Sequence, residues 1–181
     1  MSRLQLPLIG AAALAMTIGC ATAPKSASDK ASLEARADST LTMMRNRDPA
    51  LGPLLSSSAG YVVFPEIGKG GFVVGAAHGR GILYERGRHA GFVDVNQASI
   101  GAQLGAQTFS ELVVFKSPFD VQKLKTGEFT LGANASAVAL TTGAAASAEF
   151  KEGTAVFVVA GGGVMAELSL SGQRMNFVPR G

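Results

Sequence analysis

Between residues 69 and 89 the chain sets Lys69, His78, Arg80, Arg86, Arg88 and His89, with only Glu66 and Glu85 as nearby acids. This composition suits the capture of an anion better than the breaking of a bond. Arg80 offers a planar fork for phosphate oxygens, and Lys69 lies between glycines, where exposed backbone N–H groups also bind anions. The bland reading of the same residues is a solvated face of ordinary surface cations. Each basic side chain near an anionic surface contributes about 1 kcal/mol, so Lys69, His78, Arg80, Arg86 and Arg88 together are the candidate headgroup ligands.

Other chemistries have weaker support. His78 and His89 are separated by eleven positions with no cysteine nearby, which does not make a zinc site. Ser99, His89 and Asp94 supply the types of a hydrolytic triad, yet no Gly-x-Ser-x-Gly elbow presents the serine. Gly161 to Ala166 nominally fits a dinucleotide pattern, but only fifteen residues follow it, too few for the helix, strand and acid that such a site needs. No cofactor and no enzymatic activity are expected.

The elements that must position the basic residues are strands. Tyr61-Val62-Val63-Phe64 and Phe72-Val73-Val74 stand among glycines too frequent for a helix interior, where each costs about 1 kcal/mol relative to alanine. Read as one strand, residues 72 to 84 put Val73, Gly75, Ala77, Gly79, Gly81 and Leu83 on one nearly bare face. Phe72, Val74, Ala76, His78, Arg80, Ile82 and Tyr84 take the other. A bare face admits a second backbone or a ligand at close range, or lets the strand bend. In residues 101 to 107, Gly101, Gln103, Gly105 and Gln107 share one side, and buried glutamines there would need partners.

These residues resemble the SYLF domain family of membrane-associated, lipid-binding domains. The resemblance is carried by Phe64-Pro65, by Gly68-Lys69-Gly70-Gly71-Phe72-Val73-Val74-Gly75, by His78-Gly79-Arg80-Gly81 and by Gly101-Ala102-Gln103-Leu104-Gly105-Ala106-Gln107, in that order and spacing. It spans about Leu33 to the C-terminus and is strongest over 59–115. Many members carry tryptophan where this chain has Gly91-Phe92-Val93, and this chain contains none. The resemblance implies lipid binding, with phosphoinositide binding in eukaryotic relatives and actin binding in some fungal ones.

The first twenty residues read as a targeting segment, with Arg3 followed by an apolar run from Leu4 to Ile18 and then Gly19-Cys20. The run is shorter than the ~20 residues of a membrane span. Cys20 is the only cysteine. Its place resembles the lipobox of bacterial lipoproteins, which makes it the expected acylation site. The alternatives are cleavage after Ala21-Thr22-Ala23, leaving a soluble secreted protein, and an uncleaved anchor. Alanine at position 21 favours the outer membrane of the bacterial cell envelope by the usual sorting rule. Without residues 1–20, 15 bases oppose 13 acids, a balance of +2 that predicts no nucleic-acid partner.

The expected organisation is a leader over 1–20, a tether over 21–28 and one domain over 29–181. Ser28-Asp29 is expected to cap a helix over Lys30 to Arg47 bearing Leu33, Ala37, Leu41 and Met44, with a short helical turn over Pro49 to Ser57. Ser117-Pro118-Phe119-Asp120 should start a second helix closed by Gly127. Phe129 to Ala148 lacks charge for twenty residues, but its small polar composition points to two strands of small residues instead of a membrane span. Strands at 154–160, 164–170 and 173–178 would complete an antiparallel meander, with Ser171-Gly172 as a tight turn. The fold expected is α+β: a twisted antiparallel sheet or partly closed β-barrel with an N-terminal helical region and one short additional helix. The function expected is a lipid-anchored module binding anionic phospholipid, and the alternative is a structural or adhesion-type envelope protein whose partner is another protein.

Overall fold

The computed structural model describes residues 24, 26–71, 74–100, 107–132, 137–161 and 172–180. The leader with Cys20, Phe72-Val73, most of the Gly101–Gln107 motif and the strand expected at 164–170 lie outside the described residues. Three helices, α1 (Ala27–Arg47), α2 (Leu51–Ser57) and α3 (Pro118–Thr126), accompany one sheet. Its strands are β1 (Gly60–Gly71), β2 (Val74–Glu85), β3 (Arg88–Ile100), β4 (Gln107–Phe115), β5 (Ala137–Ala139), β6 (Thr154–Ala160) and β7 (Arg174–Pro179). The fold is α+β, as expected, and the sheet order is β5-β6-β4-β1-β2-β3-β7, open among the described residues.

Every pairing is antiparallel except β5 with β6. The consecutive C-terminal meander is therefore corrected: β6 and β7 lie near opposite edges. Among the described residues the two strands expected over 129–148 reduce to β5 and one isolated bridge, Thr130 to Arg174. A buried carboxylate explains much of this. Asp48 Oδ2 accepts from Ala145 N at 2.7 Å, and its Oδ1 accepts from Gly143 N and Ala50 N, both at 3.1 Å. Those amides serve the carboxylate and are lost to any ladder. Burial alone would raise the Asp48 carboxyl, but the three N–H donors outweigh it and hold it below its ordinary value.

Helix α1 starts earlier than expected. Ser26, extended at φ −106° and ψ 157°, accepts from Asp29 N at 3.0 Å and is the N-cap, which places Ser28 inside the helix. Leu33, Ala37, Leu41 and Met44 are its buried positions, as their spacing requires. Three large side chains removed from water at about 2 kcal/mol each give roughly 6 kcal/mol, so tertiary contact is what holds this helix. They pack with Tyr61, Val63, Ile82, Tyr84 and Phe92 on one face of the sheet. Phe92 is thus part of this core. The opposite face is covered by Val121 and Leu124 of α3 with Phe129 and Leu131.

Pro65 does not end β1. It has no N–H for a ladder, and the register of β1 shifts against β2 and β4 between Val63 and Ile67. At this bulge Phe64 crosses to β2. A Cβ on Gly81 would lie 2.6 Å from Phe64 Cδ1 and 2.6 Å from Val63 O, and one on Gly79 would lie 2.7 Å from Ile67 Cγ1. The bare face of β2 is therefore filled by the chain's own Phe64 and Ile67.

The sheet also curls. Glu111 in β4 and Gln173, just before β7, would be about 19 Å apart across four strand spacings of a flat sheet. Gln173 Nε2 nevertheless donates to Glu111 Oε2 at 3.1 Å.

Two substitutions test these roles by urea unfolding. Gly81→Ala is expected to cost about 3 kcal/mol, because a backbone carbonyl and a buried ring block the new methyl. Asp48→Asn should cost about 2 kcal/mol at neutral pH by setting an amide donor against N–H donors. A lowered folded pKa contributes stability above the ordinary carboxylate range that is lost as pH falls through it, so this difference should shrink in acid.

Candidate functional site

The five candidate headgroup residues do not form one cluster. Arg86 and Gly87 make the two-residue turn between β2 and β3, both with positive φ, 50° and 74°, as a twisted hairpin requires. Arg86 and Arg88 are exposed at this turn. His78 lies eight residues back along β2, about 27 Å away at the usual strand rise. Lys69 pairs with Ala77. Cross-strand partners share a face, so Lys69 points to the face carrying α3, while His78 and Arg80 point to the other. Lys69 is half-buried, and burial lowers its pKa.

The hairpin end lies beside the start of α1. Lys30 Nζ sits 5.4 Å from the centre of the Phe92 ring. His89 Nδ1 is 3.0 Å from Glu34 Oε1, and Arg180 Nη2 is 3.6 Å from the same oxygen. The His89 side chain is 8% exposed and packs edge-on against Phe92 at 5.0 Å. Burial, partly countered by Glu34, lowers its pKa and favours the neutral ring. Lys125 of α3 pairs with Glu85 at 2.9 Å at this same end. Glu34 and Glu85 are thereby engaged, and Arg86 and Arg88 are left as the exposed cations of the turn.

Toward the other end, beyond the cover of α1, the outer face carries two polar rows. Register places Glu66, Arg80, Asp94 and Asn176 side by side across β1, β2, β3 and β7, and Gly68, His78, Asn96 and Arg174 in the next row. His78 Nδ1–H donates to Asn96 Oδ1 at 3.0 Å. Arg80, His78 and Arg174 are exposed, whereas Asp94 is 3% exposed and its Oδ2 has no hydrogen-bond partner. Burial raises the Asp94 carboxyl, against the opposing pull of His78 and Arg80. A groove of about 370 Å³ between α1 and the β1 bulge, lined by Ser32, Arg36, Ser39, Pro65 and Glu66, adjoins this face.

Sequence reasoning missed Arg174, Asn96 and Asn176. Their link to Arg80 is a pairing of β3 with β7 that no local spacing encodes. The triad types are not assembled either. Ser99, Asp94 and His89 lie on one strand, with Ser99 about 33 Å from His89 at the strand rise. Among the described residues no group of three or more histidine, cysteine, aspartate or glutamate side chains is placed to hold a metal ion.

Comparison with known proteins bears on the same strands. Residues 96–178 match the family model described as Ysc84, Las17-binding protein actin regulator. No curated protein matches the chain. The matched span runs from β3 through β7, so it holds the Gly101–Gln107 motif and Arg174, while the Gly68–Gly75 and His78–Gly81 motifs precede it. The strongest resemblance is expected over 59–115, whereas the match covers only 96–115 of that stretch and runs on to 178. The Ysc84 match over residues 96–178 agrees with the SYLF resemblance that the motifs carry.

Proposed function

We propose that this chain is a non-enzymatic, lipid-anchored module of the bacterial envelope, held at the outer membrane through Cys20, whose SYLF domain binds anionic phospholipid headgroups. The observation that carries this reading is the juxtaposition of the Arg86–Arg88 turn with the start of α1. Five residues separate Cys20 from Ser26, and whatever path they take they span at most about 20 Å. An acyl chain on Cys20 would keep the hairpin end within reach of the bilayer. Arg86 and Arg88 would then read headgroup charge, and Lys30 and Lys125 would add to the local field.

The face bearing His78, Arg80 and Arg174 supports a second reading for that end. It mixes both signs, contains the buried carboxylate of Asp94 and adjoins a groove, which is how a surface selects a protein partner more than a uniform anionic sheet. The family model's description names a Las17-binding protein and actin regulator, and protein binding by this domain accords with it. In this chain the partner would be another envelope protein. The lipid assignment therefore rests on Arg86 and Arg88 first, and Lys69, facing the interior side, contributes least.

Vesicle co-sedimentation of the Cys20→Ser protein separates the two ends. Binding to anionic but not neutral vesicles, weakening with salt, is expected. Arg86→Glu with Arg88→Glu should reduce it at least about 30-fold at low salt, because two contributions of about 1 kcal/mol are lost. Arg80→Glu with Arg174→Glu should leave most of it. The opposite ranking would move the headgroup site to the far face, and no binding to either vesicle would leave only the acyl chain as the membrane contact.

A further inference from the structure

Glu111 is fully buried in the middle of the sheet, on the face enclosed by α3. Among the described residues its carboxyl accepts one hydrogen bond, from Gln173 Nε2 at 3.1 Å. Glu111 Oε1 and Gln173 Oε1 are both buried without a hydrogen-bond partner. Each side of this pair thus has one satisfied atom and one orphan acceptor. A single proton on the carboxyl supplies the missing donor, since a carboxylic acid and a primary amide can each give and accept one hydrogen bond. An ionised carboxylate there would be a buried charge with one neutral donor, an arrangement that costs several kcal/mol.

Among the described residues the immediate neighbours of Glu111 offer no counter-charge. Phe64 of β1 and Val158 of β6 flank Glu111 in register. Val95 and Gln97 of β3, Met175 of β7 and Leu131 complete the described surroundings on that face. Among the described residues the ionisable groups on this side are Lys69, level with Gln107, Asp120 of α3, whose carboxylate is engaged by Ser117, and Lys123, Glu128, Lys151 and Glu152, which line a pocket with Asp120 and Leu131. Lys69 is about 13 Å along the strand direction from Glu111, and Asp120, beside the Phe115 end of β4, is about as far the other way. Burial pushes the Glu111 carboxyl up to about 7, with Gln173 pulling it back only partly.

Gln173 belongs to the segment that secures the sheet's far edge. Leu131 N donates to Gln173 O at 3.0 Å, Gly172 N donates to Leu131 O at 3.0 Å, and Thr130 bridges to Arg174. We propose that protonated Glu111 is a clasp that holds the curled sheet closed across its interior, and that loss of its proton releases the Gln173 turn and the leading end of β7. Because Arg174 follows Gln173 directly, release would also displace one cation of the outer polar face. This device is independent of the lipid reading.

The test is the full chain and its Glu111→Gln variant, unfolded in urea from pH 5 to pH 8.5. A group whose folded pKa lies above its unfolded value stabilises most at low pH, and that stability is lost as pH rises through the folded pKa. The unfolding constant of the natural protein should rise by up to tenfold per pH unit between about pH 5 and 7 and then level off, relative to the variant. Amide exchange at Gly172 and Leu131, corrected for its intrinsic pH dependence, should accelerate over the same window in the natural protein only. An equal slope in both proteins, or none in the natural one, overturns the clasp. Should Glu111→Gln fail to fold, infrared spectra of the natural protein decide: a protonated carboxyl band must be present at pH 6 and fade above pH 7. Its absence at pH 6 refutes the proposal.

Discussion

A sheet that is apolar on both faces cannot stand in water, and the arrangement of this domain follows from how each face is removed from it. On one side α1 lies across the strands and buries Leu33, Ala37, Leu41 and Met44. On the other the sheet curls on itself, with Phe64 laid over Gly81 and Ile67 against Gly79. Pro65 and its bulge set the position of that crossing. The curl brings Gln173 to Glu111, which a flat sheet would keep far apart. Among the described residues the half of the outer face beyond α1 stays open to solvent, and the polar rows occupy it.

Four carboxylates are buried among the described residues: Asp120 is engaged by the Ser117 hydroxyl, and the other three meet different fates. Asp48 is given N–H donors and stays ionised, tying the end of α1 to residues 143–145. Glu111 has one amide and no cation, so protonation is the cheaper state in its surroundings. Asp94 lies between these extremes, with an orphan oxygen in the fields of His78 and Arg80. Structural carboxylates are normally satisfied, and the orphan oxygen of Asp94 is the observation behind the proposed protein-binding reading of this face. The hairpin end has the contrasting character: Glu34 and Glu85 are paired, and Arg86 and Arg88 of the turn are exposed.

Much of this was legible because local patterns carried it. The α1 stripe, the Ser117 cap with Pro118 and Gly127 around α3, and the outward placement of His78 and Arg80 follow from spacing and cap chemistry. What spacing could not carry was long-range pairing. The five cations look like one cluster along the chain because their separations are short in sequence, yet a strand spreads eight residues over about 27 Å and alternation divides them between faces. The segment over 129–148 misled for another reason: its small residues suit strands, but a carboxylate nearly a hundred positions away in sequence claims the amides of Gly143 and Ala145. Arg174 joined the outer face only through β7 crossing to the edge beside β3.

The proposal that the hairpin end faces the bilayer is tested most directly by depth. Thr126 is exposed at that end, next to the Lys125–Glu85 pair, and Ala76 is exposed near the other end of β2. Single fluorophores placed on Thr126→Cys or Ala76→Cys, each in the Cys20→Ser protein, would be bound to anionic vesicles containing a headgroup-attached quencher. Strong quenching at position 126 with little at 76 is the predicted result. Strong quenching at 76 with little at 126 would contradict it and turn the His78–Arg80 end toward the membrane.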